Sequence, residues 1–182
     1  MTLTQQQKLE YYRKKQLAER IILAQARRGK HIIYGERAVS AQLKPALRKH
    51  TEDYDLFARQ PRRTASMVEK RLDQRYGFNA FKIAPAKHRG TYKVVSRVTQ
   101  RNVADYSNPP RRVQYVRRDG VRYAALSYQL QKIRESLASR NAKFRHAKDR
   151  ETRQRILLNK QAQLRRRKQS VLRRLMRGSV YR

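Results

Sequence analysis

Thr51-Glu52-Asp53-Tyr54-Asp55-Leu56-Phe57 gathers three carboxylates within four positions of a chain that carries 13 acidic residues against 47 lysines and arginines. In an extended strand, side chains at i and i+2 leave the same face. Asp53 and Asp55 then point together, while Glu52, Tyr54 and Leu56 point to the other side. Two like charges on one surface are unfavourable unless something positive lies between them, either a metal ion or neighbouring basic groups.

The rest of the chain bounds what that cluster can be doing. At 182 residues there is length for one core of ordinary size with some appended helix. A formal charge of +34 and an isoelectric point near 11.5 imply a polyanionic partner, nucleic acid by default. Without cysteine, the chain has no disulfide, thiolate metal site or thiol nucleophile, which is compatible with a reducing compartment. Its longest apolar runs, such as Ile21-Ile22-Leu23-Ala24, are too short to span a bilayer. Gln5-Gln6-Gln7-Lys8 stands where a signal peptide needs an apolar stretch, so the chain reads as neither membrane-bound nor secreted. The four histidines, at 31, 50, 88 and 146, have no metal-ligand spacing, and no Walker loop or nucleophile elbow is present.

Outward from the acidic strand, the periodicities predict a regular order of elements. Residues 4–28 read as one basic helix with Thr4 as N-cap and Gly29 as stop. His31 to Gly35 reads as a short buried strand, followed by a helix from Arg37 to Leu47 that Pro45 bends or ends. A glycine at that strand–helix junction lets backbone approach a phosphate. After the acidic strand at 52–58, Pro61 opens a helix through Tyr76 that Gly77 ends, its Ala65, Val68, Leu72 and Tyr76 stripe facing the sheet. Strands follow at 78–83, 91–98 and 102–106, the last holding Asp105, the only acid between Asp73 and Asp119. Residues 113–116 and 121–126 form a hairpin turning at Asp119-Gly120. From Ser127 the pattern is helical, and residues 140–182 hold sixteen lysines and arginines against two acids. Arg165, Arg166, Arg167, Lys168, Arg173 and Arg174 form a candidate phosphate-tracking stripe, arginine-rich as bidentate phosphate contacts favour. With no tryptophan and four phenylalanines, a base-stacking platform is poorly supported, although Tyr11, Tyr12 and Tyr115 can contribute, and binding reads as largely sequence-independent.

Tyr34-Gly35-Glu36-Arg37-Ala38, then Arg48 to Leu56, then Ala104-Asp105-Tyr106 together resemble the nucleotidyltransferase superfamily of DNA polymerase β and the poly(A) polymerases. More narrowly they resemble the short homologues and poly(A) polymerase catalytic cores of large DNA viruses, over residues 31–106 and, more loosely, Arg145 to Asp149. The resemblance implies an α+β fold: a small mixed β-sheet with flanking helices at 31–126, a basic N-terminal helix at 1–30 and long basic C-terminal helices at 127–182. It implies that Asp53, Asp55 and Asp105 are catalytic and hold two magnesium (or manganese) ions. One ion lowers the pKa of an attacking hydroxyl, the other neutralises a nucleoside triphosphate, and pyrophosphate leaves. For this the strand bearing Asp105 must lie beside the strand bearing Asp53. Gly35, Arg37, Arg48 and Lys49 become phosphate contacts, and Arg145 and Lys148 join the nucleic-acid-binding set.

Glu36 departs from the family pattern, which has a second small residue there; a carboxylate at 36 repels a triphosphate unless it turns away. That departure keeps a second reading in play, a non-catalytic basic protein that packs nucleic acid in a virion or bridges its shell components. Viral origin, and with it a place in the virion or in the host cytoplasm or nucleus, follows from the resemblance alone. A ribosome-associated basic protein fits the composition and leaves the acid pair unexplained.

Overall fold

The structure, a computed structural model, describes residues 3–178, the side chains at 15, 171–175, 177 and 178 excepted. Seven strands form one mixed sheet: β1 (Ile32–Tyr34), β2 (Tyr54–Phe57), β3 (Phe81–Pro85), β4 (Tyr92–Ser96), β5 (Asn102–Ser107), β6 (Tyr115–Arg118) and β7 (Val121–Ala124). Their order across the sheet is β3-β4-β5-β2-β1-β7-β6. The β2–β5 and β1–β7 pairs are parallel and the others antiparallel. The fold is therefore the α+β type expected, with the acidic strand at the middle of its sheet.

Strand alternation divides the sheet into two faces. Tyr54 and Leu56 on β2, Ile33 on β1, and Ala104 and Tyr106 on β5 are buried on one side. There they join Ile22 and Ala26 of α2 (Lys15–Arg28) and Val68, Leu72 and Tyr76 of α4 (Pro61–Tyr76) in the main core. α4 runs between the predicted boundaries, Pro61 at its first position and Gly77 at φ +84 closing it in the left-handed conformation. Asp119 at φ +49 and Gly120 at φ +74 supply the two positive φ angles that the β6–β7 hairpin turn requires.

Several boundaries differ from expectation, each for a local reason. The N-terminal helix is two helices, α1 (Gln5–Arg13) and α2, with Lys14 between them at φ −95, ψ 14. The break leaves the Lys14 carbonyl free to accept a 2.8 Å hydrogen bond from the Tyr76 hydroxyl, and Tyr11 packs against the Tyr76 and Phe81 rings. Thr4 does cap α1, in a reciprocal capping box with Gln7. α3 (Gly35–Gln42) starts two residues early and stops five short of Leu47. Lys44 precedes Pro45 and is held extended at φ −62, ψ 150, which propagates the helix end back to Leu43. β3 begins at Phe81 rather than Phe78, where the Asp73 carboxylate accepts a 2.9 Å hydrogen bond from the Phe81 amide.

After β7 come α5 (Leu126–Ala138), a short 3-10 segment (Arg140–Arg145) and α6 (His146–Gly178). Ile133 of α5 and Ile156 of α6 pack with Val39 of α3 and with Leu43 just past its end in a second, smaller core cluster. From Gln161 onward no described residue of α6 is buried. No described helix is long and apolar enough to cross a membrane.

Candidate active site

β2 and β5 pair in parallel with Asp55 opposite Asp105. Neighbouring strands lie about 4.8 Å apart, so the two carboxylates leave the same face side by side. Asp53 stands immediately before β2, its Oδ1 accepting from the Thr51 hydroxyl and its carbonyl receiving the Arg37 Nε at 3.4 Å. Asp105 accepts from the Asn102 amide at 2.8 Å and lies 3.8 Å from the ammonium of Lys93, its cross-strand neighbour on β4. Tyr34 faces Asp55 from β1, stacks on Phe57 at 4.0 Å and meets the Ser107 hydroxyl at 3.1 Å. Glu52 is outside this group and pairs with Arg101 at 3.1 Å.

Like charges at short range raise one another's pKa, and so does burial. Burial pushes Asp55 up to about 7, aided by the negative charges of Asp53 and Asp105 and opposed by Lys148 and Arg145. Asp105 is raised by burial, with Lys93 and Asn102 pulling the other way. Burial together with the charge on Asp55 pushes the Tyr34 phenol up to about 12. The metal-free chain thus holds Asp55 and Asp105 above the ordinary carboxylate range. Because the folded pKa of Asp55 exceeds the ordinary 3.8, the proton favours the folded state. Stability of the metal-free protein is then expected to fall as pH rises from about 4 through about 7, as urea titrations across that window measure, and Asp55→Asn flattens the dependence.

Gly35 brings backbone against this group. Its φ of +66 lies in the left-handed region, and a Cβ at this position would collide with the Asp55 Oδ2. Glycine is thus required both by conformation and by the carboxylate beside it.

Glu36 does not aim at the acids. Its carboxylate accepts from Arg155 Nη2 of α6 at 2.6 Å and from the Ser40 hydroxyl at 2.8 Å, and the two side chains of the ion pair are 8% and 13% exposed. Arg155 also donates to the Leu47 carbonyl at 3.2 Å, so one guanidinium fastens α6 to the first turn of α3 and to the Pro45–Leu47 turn that follows it. Removing one partner of a buried pair strands the other charge, at about 3–5 kcal/mol. Arg155→Met is expected to destabilise the chain by roughly that amount in urea unfolding, and the double change Glu36→Leu with Arg155→Met to recover most of it.

The other residues singled out from sequence are placed as follows. Arg37 stacks over the Tyr54 ring at 4.0 Å and pairs with Glu19 at 3.2 Å, on the side of β2 that faces α2. Arg48 donates to the Leu43 carbonyl at 3.1 Å, and Lys49 pairs with Glu151 at 3.1 Å. All three thus have partners within the protein. Arg145, 3.6 Å from Asp149, and Lys148 act electrostatically on Asp55, so the junction of the 3-10 segment with α6 brings positive charge to that carboxylate. Arg165, Arg166, Arg167 and Lys168 are exposed on α6, whereas the side chains of Arg173 and Arg174 lie outside the described residues. Lys93, Asn102 and Arg155 escaped the sequence reading. Lys93 is signalled only by the register of β4 against β5, and Arg155 by nothing short of the fold.

The donors available are carboxylate oxygens, which suit a hard divalent cation. Among the described residues no group of three or more histidines, cysteines, aspartates or glutamates stands ready-made around a metal position. Thr51, Asn102 and Lys93 instead engage the outer carboxylates. The residues fit such an ion in kind, and Asp55 in particular has no protein cation within ion-pair distance among the described residues.

A mixed sheet with a glycine turn leading into α3 and carboxylates on neighbouring parallel strands is the arrangement that the resemblance implied. Among solved structures, the chain superposes on the crystal structure of the Megavirus polyadenylate synthase with a TM-score of 0.71, covering 80% of this chain and 31% of that one, at 16% identity. The chain thus spans about a third of the length of the synthase, and at that identity the likeness is one of fold. JHP933 from Helicobacter pylori superposes at a TM-score of 0.41, with 14% identity over 78% of this chain and 61% of that one. No protein-family model matches the sequence, and neither does any curated protein.

Proposed function

We propose that the protein transfers a nucleotide from a nucleoside triphosphate to a hydroxyl of a nucleic-acid acceptor. The observation that carries this reading is the in-register pair Asp55 and Asp105 on parallel strands, with Gly35 against the Asp55 carboxylate. The acceptor oxygen forms a bond to the α-phosphorus, the α–β anhydride bond breaks, and pyrophosphate leaves with the negative charge. Asp53, Asp55 and Asp105 would hold magnesium or manganese, which supplies activation of the hydroxyl and neutralisation of the triphosphate. Lys148 and Arg145 add positive charge on the side where the triphosphate lies. The Glu36–Arg155 pair removes a carboxylate that would oppose it.

Incubation with either metal, labelled nucleotides and RNA or DNA primers tests this. Incorporation that disappears in Asp53→Ala is expected. Absence of incorporation with every primer, together with an Asp53→Ala variant indistinguishable from the parent, would sink the transfer.

A second reading, nucleic-acid binding or packing without transfer, is favoured by the engagement of the outer carboxylates by Thr51, Asn102 and Lys93 and by the exposed basic length of α6. It predicts that Asp55→Asn leaves every measurable property except stability unchanged.

A further inference from the structure

On the far side of the sheet from the acids, α4, the start of β4 with the loop before it, and the segment after β5 line an open groove of about 930 Å³. Its lining carries Arg62, Arg63, Lys70 and Arg71 and no acidic residue. None of these four pairs with a carboxylate among the described residues, although eight other basic side chains do. Arg63 and Arg71 donate to glutamine side chains, Gln60 at 3.2 Å and Gln25 at 2.8 Å. The two acids of α4, Glu69 and Asp73, are outside the lining.

The groove costs α4 stability. The first turn of the helix bears Arg62 and Arg63 where the dipole favours acids, and its N-cap residue Gln60 makes no side-chain capping bond. Uncompensated cations at that end are explained if an anion lies there in the working state. The floor is not purely polar, because Met67 and the half-buried Tyr92 line it too. Tyr92 adjoins Lys93, the partner of Asp105, and Asn108, also in the lining, follows the strand that bears Asp105. The groove therefore ends at the margin of the acid-bearing strands.

We propose that this groove is the track for a single-stranded nucleic acid, with phosphates on Arg62, Arg63 and Lys70 and a base against Tyr92. A single strand fits better than an acidic protein segment because an aromatic and apolar floor beneath a basic rim is what stacked bases and their phosphates require together. The proposal rests on the reading that the chain acts on nucleic acid, but its test needs no transfer, so a protein that incorporates nothing can still satisfy it.

The experiment is fluorescence anisotropy with labelled 12-mer RNA and DNA strands on the full chain, titrated in salt. The parent is compared with Arg62→Ala/Arg63→Ala/Lys70→Ala and with a charge-matched control, Arg112→Ala/Arg117→Ala/Arg118→Ala, around the opposite edge of the sheet. All six side chains are exposed, so both variants fold, as thermal unfolding checks. Losing three phosphate contacts makes the log–log salt slope shallower by about 2 and, at about 0.1 M salt, weakens binding at least tenfold more than the control does. Tyr92→Leu is expected to weaken binding without changing the slope. An effect of the groove variant no larger than that of the control on either strand overturns the proposal. Displacement of the strand by polyglutamate as effectively, charge for charge, as by unlabelled oligonucleotide also overturns it, in favour of an acidic protein partner.

Discussion

Asp55→Asn is expected to lower nucleotide transfer by about 10³-fold or more and, in the same protein, to raise the stability of the metal-free chain at pH 8 by about 1–3 kcal/mol. The two effects have one origin. Asp55 is pushed up to about 7 by burial and by Asp53 and Asp105, so ionising it at pH 8 works against the fold. Asparagine keeps the shape and removes the charge. The proposed cation ligand is lost with it, and charge stabilisation by a bound metal is worth several kcal/mol in the transition state, each ~1.4 kcal/mol being tenfold in rate. Parallel assays of incorporation and urea unfolding read both signs. A variant that loses activity and stability together would place Asp55 in the packing of the sheet instead.

Gly35→Val is the second large effect. A non-glycine residue at φ +66 costs about 1–2 kcal/mol in backbone conformation alone, and the added carbon meets the Asp55 carboxylate. A loss of about 3–4 kcal/mol in unfolding free energy, with transfer abolished, is expected. The control is Gly77→Ala at the end of α4. Its φ of +84 imposes the same kind of conformational cost, but nothing lies within 4 Å of the new carbon, so the loss stays near ~1 kcal/mol with transfer intact. Equal losses at the two glycines would mean that the approach of backbone to Asp55 contributes nothing.

Where a few neighbouring residues decide the conformation, the fold was legible in the sequence. Alternation placed Tyr54 and Leu56 in the core and Asp55 on the other face. Pro61 and Gly77 delimit α4, and Asp119-Gly120 turns the last hairpin. The likeness in Tyr34 to Ala38 and in the two acidic segments led to the type of sheet. What was not legible depends on pairings between distant segments. The resemblance called for the Asp105 strand beside the acidic strand, and β5 does pair with β2, but Lys93 beside Asp105 is a register that no local pattern specifies. Glu36 read as an obstacle because its partner Arg155 lies 119 positions away on a helix whose docking the sequence does not declare. Arg37 read as a phosphate contact, yet it lies over Tyr54 with Glu19 as its counter-ion. In a chain with 47 basic residues, composition cannot tell which of them have been taken up internally. The structure shows Lys148 and Arg145 acting electrostatically on Asp55, and Arg62, Arg63 and Lys70 lining the groove without a carboxylate partner among the described residues.

Asp55 and Asp105 are proposed to act as a pair that holds a divalent cation for a triphosphate. Calorimetric titration of manganese into the protein at pH 8, with a non-hydrolysable nucleoside triphosphate present, reads that pairing. Saturable binding is expected, beyond the metal taken by the nucleotide alone, and Asp55→Asn and Asp105→Asn are each expected to weaken it at least tenfold. Identical manganese isotherms for the parent and both variants would contradict the pairing.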